Sequence, residues 1–148
     1  MIHEKVLFSY TTLMREGMIA NGQYLPDAMM YGIDLNKCHT IVITAGFITA
    51  IDKLSLYWNE IDIKLNDVSI LSPSNQQKGS ANILLAHPAS KTQQVAIVSF
   101  RLREIRLPSS DLYTVVVSLH GSDSNGNKGN LLDTKECGFF VVGEDDNG

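Results

Sequence analysis

The sequence predicts an all-β protein, an antiparallel two-sheet β-sandwich of about seven or eight strands. Three observations predict it. Apolar residues recur with a period of two, the spacing of a half-buried strand. Val, Ile, Phe and Tyr crowd into runs of five to twelve residues. Polar loops rich in Gly, Pro, Ser and Asn separate these runs, at the spacing of a sandwich.

Taken in order, "KVLFSYTTL" reads as an opening strand. Residues 14–33 mix methionine with Gly, Asn and Pro, and Gly17 with Asn21–Gly22 argues for a hairpin. Ile41–Ile51 is apolar on both faces, as in a central or doubly covered strand. "KLSLYW" alternates with Leu54, Leu56 and Trp58 on one side, and "IDIKL" alternates with Ile61, Ile63 and Leu65 inward. The phase slips by one between Trp58 and Ile61, which predicts a β-bulge near Asn59–Glu60, or else a short corner. "ANILLAH" (81–87), "QVAIVSFRLREI" (94–105), "LYTVVVSL" (112–119) and "ECGFFVV" (136–142) complete the strands. No repeat or linker divides the chain, so residues 1–148 read as one domain.

Composition narrows the function classes. The 148 residues are 44% hydrophobic and carry 12 basic against 16 acidic side chains, a net charge of −4. A folded core is expected, and broad nucleic-acid binding is not, since that needs a basic surface. Arg101, Arg103 and Arg106 form the one basic cluster, and two of them read as the outward face of a strand. The N-terminal ten residues hold Glu4 and Lys5 and no apolar signal core. The longest apolar run is about half of what a bilayer-spanning helix needs. A cytoplasmic, membrane-free protein is the expectation. Cys38 and Cys137 then read as free thiols.

The stretch "IRLPSSDLYTVVVSL" (105–119) carries Leu107 and Pro108 six and five residues before Tyr113, then Val115 and Val117 on one face. It resembles the tyrosine corner of immunoglobulin-like and fibronectin type III sandwiches. The resemblance implies such a topology, with Tyr113 buried and its hydroxyl bonded to backbone just upstream. Val115 stands where antibody domains have a cysteine, so their inter-sheet disulfide is not expected. The resemblance implies a fold and no activity.

The loop "SDSNGNKGN" (122–130) places Asp123, Asn125 and Asn127 at positions 1, 3 and 5 of a calcium-loop pattern. Position 6 is Lys128 rather than Gly, and position 12 is Thr134 rather than Glu. One carboxylate opposed by a lysine is too little charge for calcium. The loop reads as a turn between strands, with Asn125–Gly126 at φ > 0, and Asp123, Asn125, Asn127 and Lys128 remain candidates for ligand contact. His39, His87 and His120 fall at strand ends, where convergence would build a metal or acid–base site. No nucleophile elbow and no phosphate-cradling glycine motif is present.

These observations favour a non-enzymatic protein–protein interaction module of a bacterial or phage cytoplasm, with no cofactor. The partner would be another protein or a second copy of the chain. Its expected contact residues are Met14, Met18, Tyr24, Met29, Met30 and Tyr31, because Met adapts its shape and Tyr keeps a polar tip. A carbohydrate or small-ligand module is the alternative, with Trp58, Tyr57, Tyr24 and Tyr31 as its aromatics. A metal-dependent or hydrolytic enzyme is the second alternative.

Overall fold

The computed structural model describes residues 2–15, 18, 24–51, 57–71 and 80–144. Among these lie nine strands: β1 (Lys5–Leu13), β2 (Met29–Ile33), β3 (Cys38–Ala50), β4 (Trp58–Leu65), β5 (Val68–Ser69), β6 (Ser80–Pro88), β7 (Gln93–Arg106), β8 (Asp111–Ser122) and β9 (Lys128–Gly143). They form two sheets, ordered β1-β3-β7-β6 and β2-β9-β8-β4-β5. No α-helix occurs among the described residues. The all-β two-sheet expectation holds, with the two-residue β5 as an addition.

The sheets meet across a single core. β8 turns Tyr113, Val115, Val117 and Leu119 inward at every second position, each at most 1% exposed. Ile61 and Ile63 of β4, and Phe139 and Val141 of β9, extend that face. Opposite them lie Ile41, Ile43, Ala45 and Phe47 of β3, with Val98, Phe100 and Leu102 of β7. Each such side chain contributes roughly 1.5–3 kcal/mol when fully buried. β3 is buried on both sides, as its sequence requires. Val42 and Thr44 on its outer side are 1% exposed. Tyr24 lies over this side, accepting at its carbonyl from the Tyr10 hydroxyl (2.7 Å) and meeting Arg101 Nη2 at 3.4 Å. The Phe8 ring closes over Gly46.

Three sequence expectations need correction. The first is the hairpin over 14–33. β1 and β2 stand in different sheets, and β2 pairs with β9, parallel rather than antiparallel. Asn21–Gly22 lies outside the described residues. Gly32, at φ +67°, breaks the β2 register, so Met30 and Ile33 are both buried although three apart. The second is the bulge at Asn59–Glu60. β4 pairs with β8 without a break from Trp58 to Leu65. Trp58 therefore shares the outward side with Glu60 and Asp62, and the phase changes before the strand begins. Residues 53–56 lie outside the described residues. The third is the loop at 123–127. Only Gly126 has positive φ, at +80°, and Asn125 does not.

A bulge does occur, in β7. Ile41 faces Leu102 while His39 faces Ile105, and Glu104 takes φ +58°. The extra residue keeps both Leu102 and Ile105 inward and leaves Arg103 and Arg106 exposed.

The corner between β7 and β8 has the geometry expected of Tyr113. Its side chain is fully buried, its hydroxyl donates to the Ser109 carbonyl at 2.8 Å, and the Ser109 N–H donates back at 3.2 Å. Its ring stacks on Phe139, 5.3 Å between centroids at 7°.

Candidate interaction surface

Strand alternation that fills the core also decides what the outer face of the five-stranded sheet presents. With Tyr113, Phe139 and Met30 inward, their neighbours Leu112, Phe140 and Met29 must point out. Register places Met29 opposite Phe140 and Phe140 opposite Leu112, so the three form one row across β2, β9 and β8. They are 55%, 42% and 57% exposed. Tyr31 lies beside Val142 in the next row and is 61% exposed. The row with Tyr31 makes an apolar patch on the order of a few hundred Å², the size that marks contact surfaces.

A cation borders this patch. The Arg15 guanidinium sits 5.5 Å from the Tyr31 ring centre and donates to the Tyr31 carbonyl at 3.4 Å. Met18 stands next to it: its N–H donates to the Arg15 carbonyl at 3.1 Å. Of the six residues expected to contact a partner, Met29, Tyr31 and Met18 are exposed and adjoin this region. Met14 is half-buried, its N–H donating to the Thr40 carbonyl at 3.0 Å. Met30 is fully buried and Tyr24 is 6% exposed, so both are withdrawn from any surface. Sequence reading missed Leu112 and Phe140. The signal was there: each sits one position from a core aromatic, Tyr113 or Phe139, in an alternating strand.

The opposite end of the same face is polar. Trp58, 43% exposed, lies opposite His120, and His120 opposite Leu131. Glu60 bridges Lys128 and His120, with 3.6 Å to His120 Nε2. Trp58 Nε1 donates to the Gly126 carbonyl at 3.3 Å. These contacts tie the 123–127 loop to β4. Asp123 then organises the loop from within. Its Oδ1 accepts from the N–H of Asn125 (2.8 Å) and of Asn127 (2.9 Å), while its own backbone pairs with Gly126 and Asn127. This is a tight turn closed by a left-handed glycine. The carboxylate of the calcium-loop pattern is occupied by its own backbone.

The histidines do not gather. His39 lies where β3 begins, opposite Ile105 near the end of β7. His87 pairs with Val95 near the start of β7, ten positions and roughly 33 Å of strand away. His120 sits at that second end but bonds locally, to Glu60 and to the Gly129 carbonyl at 3.4 Å. Among the described residues no three His, Cys, Asp or Glu side chains are placed to hold a metal ion. The aromatics proposed for a sugar groove also separate. Tyr24 is buried, Tyr57 is half-buried with its hydroxyl on the Ala50 N–H, and Trp58 and Tyr31 stand at opposite ends of the sheet. Cys38 is exposed at the start of β3 and Cys137 half-buried on β9, and both thiols are free. No helix among the described residues is long and apolar enough to cross a membrane. No family model matches the chain, and no curated protein matches it either.

Proposed function

We propose that the protein is a non-enzymatic binding module that docks another protein on the outer face of its five-stranded sheet. The observation that carries this is the Met29–Phe140–Leu112 row, three large apolar side chains held side by side by register on three strands and left in solvent. Holding them outward opposes the hydrophobic effect, and a docked partner removes that cost. Met and aromatic residues are the types enriched at such contacts, and Arg15 beside Tyr31 adds a third favoured type.

The scaffold we infer is immunoglobulin-like. The order β1-β3-β7-β6 beside β9-β8-β4, with a buried tyrosine at the β7–β8 corner, supports that topology. We place the module in a bacterial or phage cytoplasm, a reading supported by two free thiols on different sheets. The test is affinity capture from the native host with the wild-type chain and with Phe140→Glu. The expected result is a partner retained by the first and lost by the second, with circular dichroism unchanged. Identical capture by both chains rejects this face as the docking site.

A further inference from the structure

Sheet edges offer unpaired backbone groups, and proteins usually blunt them. In this molecule β1 is closed by the chain's own atoms. The Val6 N–H donates to Asp133 Oδ2 at 2.8 Å, and Lys135 Nζ reaches the Val6 and Leu7 carbonyls at 3.5 and 3.4 Å. Further along, the Asp27 N–H donates to the Thr11 carbonyl at 2.8 Å and the Leu13 N–H to the Asp27 carboxylate at 3.2 Å. β2 carries Arg15 along its Tyr31 carbonyl. β5 is two residues long, too short to template a strand.

β6 is different. It is nine residues long, stands at the edge of its sheet, and reads "SANILLAHP" with no Asp, Glu, Lys or Arg. Ile83 and Leu85 on it are 61% and 49% exposed. We propose that β6 pairs antiparallel with β6 of a second copy across a two-fold axis, joining two four-stranded sheets into one of eight. Charge selects this occupant. Each copy carries −4, so copies repel except where a neutral segment meets its like. In an antiparallel self-pair every charged side chain would face a like charge from the other copy, and β6 has none to face. The register shift between Ile83 and Leu85 divides the strand into short straight stretches. That restricts pairing to a few residues and to a closed, reversible dimer rather than a growing fibre. This interface is separate from the Phe140 face, so the two can be occupied together.

The experiment is analytical ultracentrifugation of the full chain over a wide concentration range, for wild type, Leu85→Lys, Ile83→Lys and Phe140→Glu. The expected result is a concentration-dependent dimer that both lysine variants abolish and Phe140→Glu keeps. Both lysine sites are already half-exposed or more, so the fold should accept them. If either variant misfolds, the other decides, together with hydrogen exchange of wild-type β6 amides, which should slow as concentration rises. A wild-type chain that stays monomeric, or a dimer that survives both lysines or is lost with Phe140→Glu, overturns the proposal.

Discussion

Tyr113 and Ser109 exchange two hydrogen bonds: the phenol donates to the Ser109 carbonyl at 2.8 Å and accepts from the Ser109 N–H at 3.2 Å. One buried hydroxyl thus satisfies both polar groups of a residue at a sheet-to-sheet corner. Tyr113→Phe keeps the ring on Phe139 and removes both bonds. The expected loss is about 1–2 kcal/mol, because the Ser109 groups lose a partner in a dry corner. Urea unfolding of the two chains measures it, with m unchanged.

Asp123 holds its loop through two backbone donors, so its carboxylate has a structural role that metal binding would disrupt. Asp123→Ala should lower stability by about 1 kcal/mol, as the loss of a backbone-capping carboxylate does. Millimolar calcium should leave the wild-type melting midpoint where it is, since only a ligand of the native state raises it. Paired thermal melts of both chains, with and without calcium, check both expectations.

Strand existence was legible in the sequence because burial alternates with period two, and β8 is the clearest case: Tyr113, Val115, Val117 and Leu119 are all inward. What alternation does not encode is where a strand goes. β2 reads as half of a hairpin from Asn21–Gly22 and Met29–Met30, yet it joins β9 in the other sheet, a choice made by the core space that Met30 and Ile33 fill. Phase breaks were half legible. The Gly32 break leaves a glycine as a trace, whereas the β7 break falls on Glu104, a residue with no propensity for φ > 0. The contact row was hidden for a related reason: the methionine cluster drew attention to composition, while exposure follows from register with β9 and β8.

Cys137 faces the core side of β9, and burial there pushes its thiol above the ordinary range, with the Ser9 hydroxyl pulling weakly the other way. A raised pKa means fewer thiolates at a given pH, and the thiolate is the reacting species. Cys38, exposed, should therefore react first with a thiol reagent in the native protein, and Cys137 only slowly. Both should titrate in denatured, unreduced protein. The linkage sign is fixed: folding favours the neutral thiol, so its contribution is present below the unfolded value of about 8.5 and is lost as pH rises through the folded value. Cys137→Ala should remove that alkaline loss, which urea melts across the alkaline range would show.

The residues between Met14 and Phe140 divide into those that hold the fold and those that wait on its surface, and charge substitution separates them. Tyr24 is 6% exposed and Met30 is fully buried against the core. Tyr24→Lys or Met30→Lys buries an unpaired ammonium, which costs about 3 kcal/mol or more. Those chains should melt well below wild type. Met18, Met29 and Phe140 are 38%, 55% and 42% exposed, and their outward side chains leave room for a charge in solvent. Met18→Lys, Met29→Lys and Phe140→Glu should stay within about 0.5 kcal/mol of wild-type stability, the usual range for surface changes. Binding should sort them differently. Phe140 stands between Met29 and Leu112, so a charge there reaches the middle of the row, where contact energy concentrates. Phe140→Glu should abolish partner capture, Met29→Lys weaken it, and Met18→Lys, at the margin beyond Arg15, change it least. A chain with Phe140→Glu that stays folded and binds as before would show that the row is not the docking surface.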